Sequence, residues 1–111
     1  MTAERLLARD PKLAEAVRRL VAVYRPDRVY LFGSMARGDD SQDSDYDLLL
    51  VVPDDASPER RASKVAYRAL WGTGLAADVL VWTAAAFDSR LGVVASLPAT
   101  IQREGILLHA A

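Results

Sequence analysis

The stretch Val29-Tyr30-Leu31-Phe32-Gly33-Ser34, resumed after a polar loop by Asp45-Tyr46-Asp47-Leu48-Leu49-Leu50-Val51-Val52, decides the fold. Its first four residues are strong β formers and read as a short buried strand that Gly33 stops. The second run alternates and then turns continuously apolar from Leu48 to Val52, the pattern of a central strand covered on both faces. Pro53-Asp54-Asp55 ends it. Residues 33–44 are turn and loop material, with Met35-Ala36-Arg37 as a short helical turn. A parallel connection normally takes a dozen or more residues, so the shortness of this loop points to a mixed sheet.

Outward from this pair the pattern is helical on the N-terminal side. In residues 4–24, Leu6, Leu13, Val17, Leu20, Val21 and Tyr24 recur at helical spacing. Pro11 marks a break or a helix start near Asp10, a residue able to cap it. Arg25-Pro26-Asp27 ends the element, since the residue before a proline disfavours helix. On the C-terminal side, Ser57-Pro58 is a helix start with Ala62, Val65, Ala66, Ala69 and Leu70 as its apolar face, and Gly72-Thr73-Gly74 is its end. Residues 76–82 form a third strand, Thr83 caps a helix opening Ala84-Ala85-Ala86-Phe87, and further helix covers parts of 90–104 with Pro98 near a start or kink. Gly105 stops it before a short extended tail, Ile106-Leu107-Leu108. The expected architecture is α/β (α+β): a small mixed sheet of about three strands flanked by helices.

The chain of 111 residues is expected to be one domain, 1–111, with a core of its own and no room for a second. Net charge is −1, so there is no basic surplus to neutralise a nucleic-acid backbone, and general nucleic-acid binding is not expected. The sequence has no cysteine, which excludes disulfides and thiolate metal sites. The N-terminus lacks the apolar core of a signal peptide, and no apolar run reaches the roughly 20 residues that span a bilayer. The expected location is cytoplasmic.

Chemistry concentrates in residues 33–47. Asp45 and Asp47 lead straight into the apolar strand, and a period of two places both carboxylates on one face. Two like charges held a few ångströms apart at a core edge are costly unless a cation lies between them, and Mg²⁺, which keeps waters and takes substrate phosphates, suits such a pair. Asp43-x-Asp45-x-Asp47 also matches the opening of an EF-hand loop, but that loop requires glycine at its sixth position, where Leu48 stands, and a bidentate acid, usually Glu, at its twelfth, which is Asp54. Asp39, Asp40 and Asp43 read as a solvated acidic loop. Gly33-Ser34 directly after the first strand allows close backbone approach to phosphate oxygens and adds a hydroxyl, although it is neither a Walker A loop nor a dinucleotide fingerprint. Arg37 is placed either to contact phosphate or to pair with the acidic loop. Asp78 lies near the start of an apolar strand; beside the second strand it would share a metal or take a proton from an attacking hydroxyl, and otherwise it is a solvated acid at a strand start.

Taken together, Gly33-Ser34-Met35-Ala36-Arg37-Gly38, Ser44-Asp45-Tyr46-Asp47-Leu48 and Asp78 resemble the DNA polymerase β-like nucleotidyltransferase superfamily. The length and the ending Glu104-Gly105-Ile106-Leu107 resemble the minimal nucleotidyltransferases, MNT or MntA-like proteins, and the resemblance spans nearly the whole chain. It implies a Mg²⁺-dependent transferase with Asp45, Asp47 and Asp78 as catalytic, metal-binding residues for two Mg²⁺ ions, Gly33 and Ser34 on the triphosphate, and ATP as substrate. It further implies an antitoxin paired with a helical HEPN-domain toxin in a hetero-oligomer, adenylylating (AMPylating) a tyrosine of that toxin. Two other functions fit the same residues: a small-molecule transferase of the aminoglycoside type, whose relatives carry an extra helical domain, and an antitoxin acting by binding alone. Trp71 and Trp82 read as core or rim packing in preference to a partner surface, Arg60, Arg61 and Lys64 as a solvated helix face in preference to a phosphate contact, and His109 as part of an exposed tail. Tyr46, between the two acids, faces the other way and packs.

Overall fold

The computed structural model describes residues 2–38 and 45–111. The acidic residues Asp39, Asp40 and Asp43, and Ser44 of the motif, lie outside the described residues. Helices α1 (Ala3–Arg9) and α2 (Pro11–Tyr24) meet at Asp10, whose carboxylate accepts from Leu13 N–H at 3.2 Å while Pro11 opens the second helix. The break expected at Pro11 is therefore present, with the cap expected of Asp10. Strand β1 (Arg28–Phe32), the short helix α3 (Ser34–Arg37) and strand β2 (Tyr46–Val52) follow. A 3-10 turn at Glu59–Arg61, helix α4 (Lys64–Ala69), strand β3 (Ala77–Thr83), helices α5 (Ala84–Ser89) and α6 (Leu97–Glu104) and strand β4 (Ile106–Ala110) complete the order.

The sheet is mixed, as expected, and has four strands in the order β3-β2-β1-β4. β1 runs antiparallel to β2 and to β4, and β2 runs parallel to β3. The fourth strand is the segment expected to be an extended tail. Pairing with β1 organises it, placing His109 opposite Val29 instead of in a frayed end. Gly105 starts this segment with an extended backbone, not a left-handed cap. Glycine is needed there because a Cβ would lie 2.6 Å from the Ile101 carbonyl oxygen and 3.1 Å from that of Leu31.

The helix expected from Ser57-Pro58 onward is instead two pieces, separated by Ala62 in extended conformation. Tertiary hydrogen bonds account for the break: Tyr24 Oη donates to the Ala62 carbonyl at 2.6 Å, and Arg60 Nε donates to the Tyr24 carbonyl at 2.9 Å. Arg60 thus closes the C-terminal end of α2 and is not part of a merely solvated face.

Alternation along β2 divides the core. Leu48, Leu50 and Val52 pack with α1, α2 and α4 through Leu6, Leu13, Val17, Leu20 and Ala66. Leu49 and Val51 pack on the opposite face with Phe87 of α5, Ile101 of α6 and Trp82. Arg28 pins this second layer, its guanidinium 5.0 Å from the Phe87 ring centroid and 3.2 Å from an Asp88 oxygen. The layer covers the sheet toward the C-terminal end of β2. Asp45 and Asp47 lie on the same face at the other end, where β2 begins.

Candidate active site

Antiparallel pairing sets Phe32 of β1 opposite Asp47 of β2, so the chain leaving β1 turns at Gly33 directly beside the Asp47 carboxylate. Gly33 has φ 75 and ψ −159, a region open essentially to glycine alone. A Cβ built there would lie 2.3 Å from Asp47 Oδ2, so the absence of a side chain makes room for the carboxylate. Ser34 then opens α3, and the Ala36 and Arg37 amides bond back to the Gly33 carbonyl at 3.1 and 3.2 Å. The amides of Ser34 and Met35 stand at the helix start, where no intrahelical acceptor is available. Gly38 ends the turn in left-handed conformation, φ 78.

On the other side of Asp47, parallel pairing places Asp78 of β3 directly opposite it. Registered neighbours in a sheet share a face, so Asp47 and Asp78 project together, joined by Asp45 two residues earlier. Asp47 is half-buried, whereas Asp45 and Asp78 are exposed. Burial raises the Asp47 carboxyl above the ordinary aspartate range, the charges of Asp78 and then Asp45 raise it further, and Arg37 opposes them. Asp47 therefore feels both other acids, with Arg37 within electrostatic reach. Among the described residues no set of three or more His, Cys, Asp or Glu side chains is gathered closely enough to cage an ion.

The sheet order lays these parts out in a line: Gly33 and α3 after β1, Asp45 and Asp47 on β2, Asp78 on β3. A groove of about 440 Å³ includes Asp45, Asp78, Tyr67, Trp71 and Leu75 in its lining. Trp71, expected in core or rim packing with a partner surface as the alternative, is 85% exposed. Trp82 does pack against the second apolar layer. Tyr46 takes the opposite face, as expected, and donates a hydrogen bond from Oη to Asp10 Oδ2.

A strand–glycine turn–short helix lies beside an Asp-x-Asp strand, which a strand bearing one more acid flanks in parallel. The chain belongs to the nucleotidyltransferase domain family, whose model matches residues 11–108. It is similar in structure to a candidate nucleotidyltransferase from Sulfolobus solfataricus, with TM-score 0.59 and 24% identity over 99% of this chain and 88% of that one. It is also similar to a chain of a toxin–antitoxin solved with AMP-PNP, with TM-score 0.52 and 21% identity over 86% of this chain and 72% of that one. At these identities the likeness speaks for the fold. No curated protein matches the chain. Among the described residues no helix is long and apolar enough to cross a membrane.

Proposed function

We propose that this chain is a single-domain, Mg²⁺-dependent minimal nucleotidyltransferase of the MNT/MntA-like kind: a cytoplasmic antitoxin that transfers AMP from ATP to a tyrosine hydroxyl of a HEPN-domain toxin. The observation that carries the reading is the seat of Asp47, with Gly33 stripped of a Cβ on one side and Asp78 in register on the other. A toxin–antitoxin with AMP-PNP among the structural neighbours supports the choice of partner and donor.

The donor set fits a hard divalent cation. It is all carboxylate oxygen, on one face, with Asp47 raised by burial and by its neighbours' charges, a penalty that a bound cation would relieve. Asp45, Asp47 and Asp78 would hold two Mg²⁺ ions, which supply charge stabilisation at the attacking and leaving oxygens. The chain's own groups do the rest. Gly33 admits the triphosphate against backbone, and Ser34 offers a hydroxyl and a helix-start amide to its oxygens. Arg37 faces phosphate once the acids are neutralised. Asp78 takes the proton of the attacking hydroxyl. The new bond joins the acceptor oxygen to the α-phosphorus, the bond from that phosphorus to its bridging oxygen breaks, and pyrophosphate leaves in line.

The test is intact mass of the neighbouring gene's product after incubation with this chain, labelled ATP and Mg²⁺. Gain of one or more AMP units, lost with Asp45→Asn/Asp47→Asn, is the expected result. Complex formation with no gain from any nucleoside triphosphate overturns the catalytic claim and leaves an antitoxin acting by binding.

A further inference from the structure

In-line displacement requires the attacking oxygen to enter opposite the departing pyrophosphate. The strand order fixes which side that is. With the triphosphate on Gly33 and α3, next to β1, the acceptor must come from the β3 side, past Asp78. The groove whose lining includes Asp78, together with Asp45, Tyr67, Trp71 and Leu75, meets that requirement.

Its wall is aromatic and held from behind. Tyr67 and Trp71 are four residues apart and are 59% and 85% exposed. The backbone beneath them is anchored: Arg19 Nη1 donates to the Trp71 carbonyl at 2.8 Å and the Ala69 carbonyl at 3.3 Å, and Arg19 Nε is held by Glu15 at 2.9 Å. Thr73 Oγ1 donates to the Leu70 carbonyl at 2.7 Å and accepts from Leu75 N–H at 3.2 Å. A large aromatic side chain exposed on a fixed backbone suits recognition, because little order is lost when a partner packs on it. The lining also carries Asp45 and Asp78, with Leu70, Leu75, Ala76 and Ala77. An apolar, aromatic slot ending in carboxylates fits an aromatic hydroxyl: the ring stacks on Trp71 and the oxygen reaches Asp78.

We propose that this groove is the acceptor subsite, that a tyrosine-bearing segment of the partner protein occupies it, and that Trp71 is a specificity-determining residue. The proposal rests on the adenylylation reading above, deepens it, and can fail separately.

The experiment uses the full chain, ATP, Mg²⁺ and the neighbouring gene's product. Expected for Trp71→Ala is a rise of at least tenfold in the KM for that protein with affinity for a non-hydrolysable ATP analogue retained, and recovery of most of the loss in Trp71→Phe. An unchanged KM overturns the proposal, and a matching loss of nucleotide affinity overturns it in favour of base stacking on Trp71. Acrylamide quenching of Trp71 in a Trp82→Phe background reads the same contact without catalysis. The partner should lower the quenching constant severalfold. Shielding of Trp71 with no AMP transfer by the wild-type chain upholds the groove and overturns adenylylation, and unshielded Trp71 beside bound partner overturns the groove.

Discussion

Asp47 and Asp78 are direct partners in the parallel pairing of β2 with β3, so two carboxylates project side by side from adjacent strands at the uncovered end of one sheet face. That register is unfavourable in the free protein. Asp47 titrates above the ordinary aspartate range because it is buried and because Asp78 and Asp45 lie near it. An acid raised on folding binds more protons in the native state than in the unfolded chain between its two pKa values, so stability falls as pH rises through that window. The window opens at the ordinary aspartate value of about 4 and closes at the raised one, and the penalty stays in full above it. Asp47→Asn should therefore raise the melting temperature of the metal-free protein at pH 7 by about 2–4 °C, what roughly 0.5 kcal/mol does in a domain of about 100 residues. The gain should shrink as pH falls through that window and vanish below about pH 4. Transfer by the same variant should fall about a thousandfold or more, several kcal/mol at 1.36 kcal/mol per tenfold. Paired melting curves and rate assays check both, and a variant that melts lower at pH 7 contradicts the account.

Gly33→Ala makes a sharper test of the turn. Alanine would meet a conformation that is nearly glycine-only and a carboxylate oxygen 2.3 Å from its Cβ. The expected cost is about 1–3 kcal/mol in denaturant unfolding. Displacing Asp47 should also abolish measurable binding of a non-hydrolysable ATP analogue. Normal stability with normal binding would show that the turn is not what seats the acid.

These two sites show why part of the centre was legible in the sequence and part was not. Asp45 and Asp47 are two residues apart at the head of an apolar strand, so local periodicity alone puts them on one face. Gly33-Ser34 ends the preceding strand, and turn chemistry is likewise local. Asp78 became a site residue only if its strand lay beside β2, a matter of pairing that no local pattern reveals. β4 was missed for the same reason: Ile106–Ala110 becomes a strand through its partner β1. The helix expected from Ser57 onward was broken by long-range hydrogen bonds from Tyr24 and Arg60, tertiary contacts that override propensity. Trp71 follows an apolar helix face in sequence, and its exposure emerges only where the chain turns away after α4.

Tyr46→Phe separates packing from catalysis at the position between the two acids. Tyr46 Oη donates to Asp10 Oδ2, whose other oxygen caps α2. Losing one hydrogen bond should lower stability by about 0.5–1.5 kcal/mol. Transfer should stay within about threefold of wild type, since this side chain lies across the sheet from the acids. A hundredfold loss in Tyr46→Phe would mean that the opposite face takes part in the chemistry.

Metal and nucleotide should stabilise the protein only through the acid pair. With ligand at about 100 times its Kd, binding to the native state adds about 2.7 kcal/mol. Mg²⁺ with a non-hydrolysable ATP analogue should therefore raise the melting temperature by several degrees in the wild type and leave Asp45→Asn/Asp47→Asn unmoved. EDTA should reverse the rise and stop transfer. A rise of equal size in the double variant would place the nucleotide elsewhere.

Asp78→Asn should divide binding from chemistry. Asp47 neighbours the Gly33 turn, whereas Asp78 is one strand further from it, exposed, and part of the groove lining. If Asp78 serves the attacking hydroxyl, its loss leaves nucleotide affinity within about threefold and lowers kcat by about 10²–10⁴, the usual scale of general-base catalysis. The amide cannot take up a proton, so the rate that remains should rise with pH as the acceptor hydroxyl ionises on its own, with a profile steeper than that of the wild type between about pH 7 and pH 9. Titration of the ATP analogue and a pH–rate series on the same preparation measure the two effects. Joint loss of affinity and rate, with an unaltered pH profile, would assign Asp78 to nucleotide binding and remove it as the proton acceptor.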